Sequence, residues 1–60
     1  MYYWNTSDAI NIALNNSLVN PSGTTYNGNL ILGVRGSTAE LVWSGSAWYV
    51  LSTQGTIGYN

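Results

Sequence analysis

The chain has 60 residues, of which three are charged at neutral pH (Asp8, Arg35 and Glu40), and it contains neither histidine nor cysteine. Soluble domains usually give about a quarter of their residues to Asp, Glu, Lys and Arg, so the 5% here leaves almost nothing for acid–base, nucleophilic or metal chemistry. Disulfides are excluded, a zinc site lacks its usual ligands, and a net charge of −1 with one arginine argues against nucleic acid, whose phosphates each call for a cation.

Disorder is disfavoured as well, because aromatics reach 13% and hydrophobics 45%, the opposite of a disordered composition. No run of about 18 apolar residues exists, so nothing is expected to span a membrane. Residues 1–20 also lack the basic start and continuous apolar stretch of a secretion signal. A domain of this size buries only about 60% of its unfolded surface. Small scaffolds therefore add disulfides, a metal or oligomerisation, and with the first two unavailable, oligomerisation is the staple that remains.

In chain order, Tyr2, Tyr3 and Trp4 open with an aromatic patch expected to dock on something. Thr6–Leu18 has two readings. Ser7 suits the cap of a helix beginning at Asp8, with Ile10, Ala13, Leu14 and Leu18 along one side. Ile10, Ile12 and Leu14 also alternate as in a strand. Residues 1–20 thus form an aromatic and amphipathic N-terminal segment. Residues 21–28 are a linker or turn, with Asn20-Pro21-Ser22-Gly23 as the turn signal and Asn27-Gly28 suited to a tight turn before the first strong strand.

From residue 29 on, an antiparallel β-meander is expected. Gly36-Ser37 and Gly45-Ser46 are spaced nine residues apart between runs of β-branched and aromatic residues, a spacing typical of short strands and turns. Glycine at the first central position suits a type II′ hairpin. Two such hairpins give strands near 29–35, 38–44 and 47–52, with a fourth near 56–59 weakened by Gly55 and Gly58. Their register puts Leu30, Leu32, Val34, Ala39, Leu41, Trp43, Trp48 and Val50 on one wholly apolar face. Of these, Leu30, Leu32, Val34, Leu41, Trp43, Trp48 and Val50 are the expected core. The other face carries Ile31, Gly33, Arg35, Thr38, Glu40, Val42, Tyr49 and Leu51, with Arg35 diagonal to Glu40 as a cross-strand pair. The fold class expected is mainly β, with a short N-terminal helix or strand. Apolar groups on both faces call for cover from neighbouring chains.

No constellation carries chemistry. Asp8 and Glu40 are the only carboxylates, and nothing in their spacing makes them converge as a glycosidase pair would. A serine nucleophile lacks a histidine or lysine to activate it. Gly28-Asn29-Leu30 and Gly33-Val34-Arg35-Gly36 lack the lysine and following helix of a phosphate loop. The expectation is a protein that is not an enzyme and uses no cofactor or metal. Trp43, Trp48 and Tyr49, with the amides of Asn27 and Asn29, have the makings of a sugar-binding platform. A cross-strand core pair is the stronger reading of the two tryptophans. The expected contact surface is Tyr2, Tyr3, Trp4 and Tyr49.

The stretch Thr38–Ser52, TAELVWSGSAWYVLS, holds a W-x-G-x-x-W hairpin between apolar strands, from Trp43 to Trp48. It resembles a segment recurrent in phage and large-virus structural proteins, among them tail fibres, head or neck fibres and capsid-associated fibrous modules. The resemblance implies a structural role in the virion. It also implies assembly as a homo-oligomer, with a trimer favoured, or with other virion proteins. A capsid decoration or cement protein, and a tip that binds a host glycan, are the alternatives.

Overall fold

The computed structural model describes residues 1–60, and every regular element in it is a strand. In chain order these are β1 (Tyr2–Trp4), β2 (Ile10–Ala13), β3 (Leu18–Val19), β4 (Thr25–Tyr26), β5 (Asn29–Leu32), β6 (Thr38–Trp43), β7 (Trp48–Gln54) and β8 (Ile57–Tyr59). They form a five-stranded sheet ordered β1-β6-β7-β3-β4 and a three-stranded sheet ordered β2-β5-β8. All pairs are antiparallel except β3 with β7.

The two readings of residues 6–18 resolve as strand. Ile10 and Ile12 turn inward opposite Leu32 and Leu30, while Asn11 and Ala13 face solvent. An alternation of this kind buries one side of a strand. Residues 21–28 are more than a linker. They include β4, which returns along β3 after a loop in which Asn20 Oδ1 accepts hydrogen bonds from the N–H groups of Ser22 and Thr24, at 3.1 and 2.9 Å.

The hairpin between β6 and β7 has the expected register, with Trp43 opposite Trp48, Val42 opposite Tyr49 and Leu41 opposite Val50. Gly45 stands at the first central position with φ of 100°, and Ser44 N–H bonds to Ala47 O at 2.9 Å. Such a turn carries strands on as a twisted ribbon.

The other expected hairpin does not form: β5 and β6 belong to different sheets. Ser37 N–H bonds to Val34 O at 3.1 Å, so the turn is Val34-Arg35-Gly36-Ser37, one residue earlier than expected. Gly36, with φ of 88°, takes its second central position. That is the glycine position of a type II turn, whose geometry splays strands apart. The chain thereby leaves the three-stranded sheet and enters the five-stranded one. The edge of β6 that β5 would have occupied is taken by β1, with Tyr2, Tyr3 and Trp4 opposite Glu40, Ala39 and Thr38. β5 ends at Leu32, which leaves Arg35 in the turn and removes the expected cross-strand pair with Glu40. The fourth expected strand exists as β8, but it pairs with β5 and not with β7.

Leu18, Leu30, Leu32, Ala39, Leu41 and Val50 are buried, drawn from β3, β5, β6 and β7. Strands that were expected side by side meet face to face, so their inward residues stay the same. Two of the expected core residues are corrected. Val34 is 47% exposed because it has left the strand for the turn, and Trp43 is 43% exposed at the hairpin end. Trp48 is half-buried and packs on the core, its ring tilted against that of Trp43 with centroids 5.2 Å apart. Leu18 joins the core from β3, through its pairing opposite Trp48.

Candidate contact surface

The outer face of the five-stranded sheet begins with β1. Because β1 pairs in register with β6, its alternation sends Tyr2 and Trp4 outward, at 63% and 66% exposure. Tyr3 points the other way and packs half-buried against the core. Its expected place on the contact surface is therefore corrected, since neighbours on a strand face opposite sides.

On β6 the outward residues are Thr38, Glu40 and Val42, and on β7 they begin with Tyr49, opposite Val42. Between Val50 and Ser52 the register slips, leaving Leu51 without a partner on β6. This extra residue is a bulge, and it lets both Leu51 and Ser52 face solvent. The backbone of Leu41, beside the slip, exchanges hydrogen bonds with Met1 in both directions at 2.7 Å. The result is a face on which Tyr2, Trp4, Val42, Tyr49 and Leu51 stand among Thr38, Ser52 and a single carboxylate, Glu40.

The sheet behind this surface is held at one end by two buried polar residues, Asn5, which sequence reasoning missed, and Ser37, which it placed only in a turn. Asn5 Nδ2 donates to the carbonyls of Asp8, Leu32 and Val34 at 2.9, 2.9 and 3.1 Å, and Oδ1 accepts from Ser7 N–H at 2.9 Å. Its backbone bonds Ser37 O and Gly36 N–H at 2.9 and 2.7 Å. Ser37 Oγ accepts from Thr56 N–H at 3.2 Å. Together they tie the end of β1, the type II turn and the approach to β8. No local signal marks Asn5, because two of its side-chain partners are 27 and 29 residues away.

The sugar platform does not assemble. Trp43 and Trp48 share one side of the five-stranded sheet and Tyr49 lies on the other, by alternation along β6 and β7. Asn29 belongs to the other sheet, where it accepts from Asn11 Nδ2 at 3.2 Å. The molecule has no pocket, so the contact surface is an open sheet face. Among the ionisable groups, Tyr59 has its pKa raised, first by burial and then by the neighbouring Tyr26, with which it stacks at 5.2 Å. Comparison with known protein families, curated proteins and solved structures gives no match for this chain.

Proposed function

We propose that this protein is a non-enzymatic structural module of a virion, a fibre-type element that assembles by covering the outer face of its five-stranded sheet. The observation that supports this most is the gathering of Tyr2, Trp4, Val42, Tyr49 and Leu51 on one exposed surface. Large exposed apolar side chains gathered on one face and rimmed by polar residues mark interaction sites, and Tyr and Trp are side chains that dominate protein interfaces. A flat face suits another protein surface better than a small molecule, which favours concave sites. The W-x-G-x-x-W hairpin from Trp43 to Trp48 and the near-absence of charge fit the company of viral fibre proteins. The occupant of the face is further copies of the chain, with a trimer favoured.

Light scattering across a dilution series tests this. The expected result is a stable multiple of the chain mass, reduced when Trp4→Ser and Tyr49→Ser are combined, while the circular dichroism couplet of the tilted Trp43–Trp48 pair persists. A wild-type protein that stays folded and monomeric at every concentration would overturn self-assembly through this face. Tryptophan fluorescence titrated with glycans would then ask whether the same rings serve a host sugar.

A further inference from the structure

We infer a second interface on the other sheet: the free edge of β2 pairs antiparallel with β2 of a second copy, across a two-fold axis at Asn11. This inference does not rest on the outer-face reading, since β2 is an edge strand of the three-stranded sheet.

The argument begins with the direction of the backbone groups. Leu14 N–H bonds to Gly28 O at 2.8 Å, continuing the register in which Ile10, Ile12 and Leu14 face β5. In an antiparallel ladder the intervening residues turn their N–H and C=O groups the other way. Ala9, Asn11 and Ala13 therefore present their backbone groups to the free edge, and all three are exposed. No lysine, proline or bulge protects this edge in the usual ways, because the chain's only proline is Pro21 and its only cation among Lys and Arg is Arg35. Elsewhere β4 has two residues and β8 has three, one of them glycine, while β1 carries the bulky Tyr2 and Trp4 beside its free groups.

The edge is complementary to itself in one register. Placing Asn11 opposite its own copy pairs Ala9 with the second copy's Ala13 and Ala13 with its Ala9, so all the outward groups bond. The same register sets Ile10 against the second copy's Ile12 on the inner side. Both isoleucines are half-buried at the margin of the core, and their uncovered sides would meet. On the outer side, Asn11 Nδ2 already donates to Asn29 Oδ1. Its amide retains acceptor capacity and a second N–H, which suits continuation of the amide row across the axis. Sliding the pairing either way fails. One direction calls on Ser7, whose N–H is held by Asn5 Oδ1, and the other on Asn15, whose φ of 62° breaks the strand.

The chain has no cysteine, which makes the register directly testable. Single variants Ala9→Cys, Asn11→Cys and Ala13→Cys are oxidised, each in the wild-type background and with Trp4→Ser and Tyr49→Ser removing the other face. The expected result is a covalent dimer from Asn11→Cys alone, and from Ala9→Cys with Ala13→Cys only when the two are mixed, in both backgrounds. Equal crosslinking at all three positions, or none at position 11, would overturn the inference. In the Trp4→Ser, Tyr49→Ser background, Asn11→Pro removes the outward N–H at the axis while sparing every backbone bond to β5. It is expected to halve the mass by light scattering, and a dimer that survives it also overturns the inference. Reduction of the oligomer to a dimer by Trp4→Ser and Tyr49→Ser, with the position-11 crosslink intact, separates this interface from the outer face.

Discussion

At the scale of single residues, Asn5 shows how one amide organises a crossing between sheets. A buried donor is stable only when its partners accept, and Asn5 Nδ2 faces carbonyl oxygens at Asp8, Leu32 and Val34. Asn5→Asp keeps the shape but sets a carboxylate against those oxygens, and is expected to cost about 3–5 kcal/mol in denaturant unfolding near neutral pH. Burial raises the pKa of such a carboxyl, so the variant's stability should recover as pH falls and decline as pH rises above the ordinary Asp value of about 4. A wild-type-like midpoint at pH 7 would show that the amide's donors are dispensable. Asn5 was illegible in the sequence because an asparagine reads the same in any polar turn, and its partners are brought to it only by the fold.

At the scale of elements, the two Gly-Ser pairs look identical in the sequence and behave differently. Gly45 opens a turn that continues a ribbon, whereas Gly36 closes a turn that sends the chain to the other sheet. The difference of one position is set by partners outside the turn, chiefly Asn5 bonding Gly36 N–H and Ser37 O. Nothing lies where a Cβ on Gly36 would project, but its φ of 88° disfavours an L side chain. Gly36→Ala is expected to cost about 1–2 kcal/mol, and Gly36→Asn less, since asparagine tolerates left-handed backbone. Equal denaturation midpoints for Gly36→Ala and wild type would mean that the turn relaxes to another geometry at no cost.

At the scale of the whole molecule, two small sheets share one core, and neither buries its apolar side without the other. The radius of gyration, 10.4 Å, agrees with the value of about 10 Å for a compact chain of this length. The stacked rings of Tyr26 on β4 and Tyr59 on β8 join the sheets at one side. Ionising Tyr59 places a phenolate in a half-buried site beside that ring, which raises its pKa from the ordinary 10.0. The unfolded chain then loses this proton first, so stability should be fully present below about pH 10 and fall as pH rises through the folded value. Thermal unfolding from pH 9 upward is expected to show this decline, and Tyr59→Phe to flatten it. An unchanged slope in that variant would remove Tyr59 as its cause.

Alternation of apolar residues determined β5, β6 and β7 and most of the inward face: Leu30, Leu32, Ala39, Leu41 and Val50 are buried where a period of two puts them. It also placed Tyr49 outward, and the turn chemistry of Gly45-Ser46 determined the register of the aromatic hairpin. Both are local properties, written in a few consecutive residues. Which strands lie side by side and which face each other was decided only by tertiary structure, because an inward side chain satisfies the same pattern in a meander or across two sheets. Hydrogen bonds between residues far apart in the chain made that choice, with β1 capturing the edge of β6 and Asn5 holding the turn that separates β5 from it.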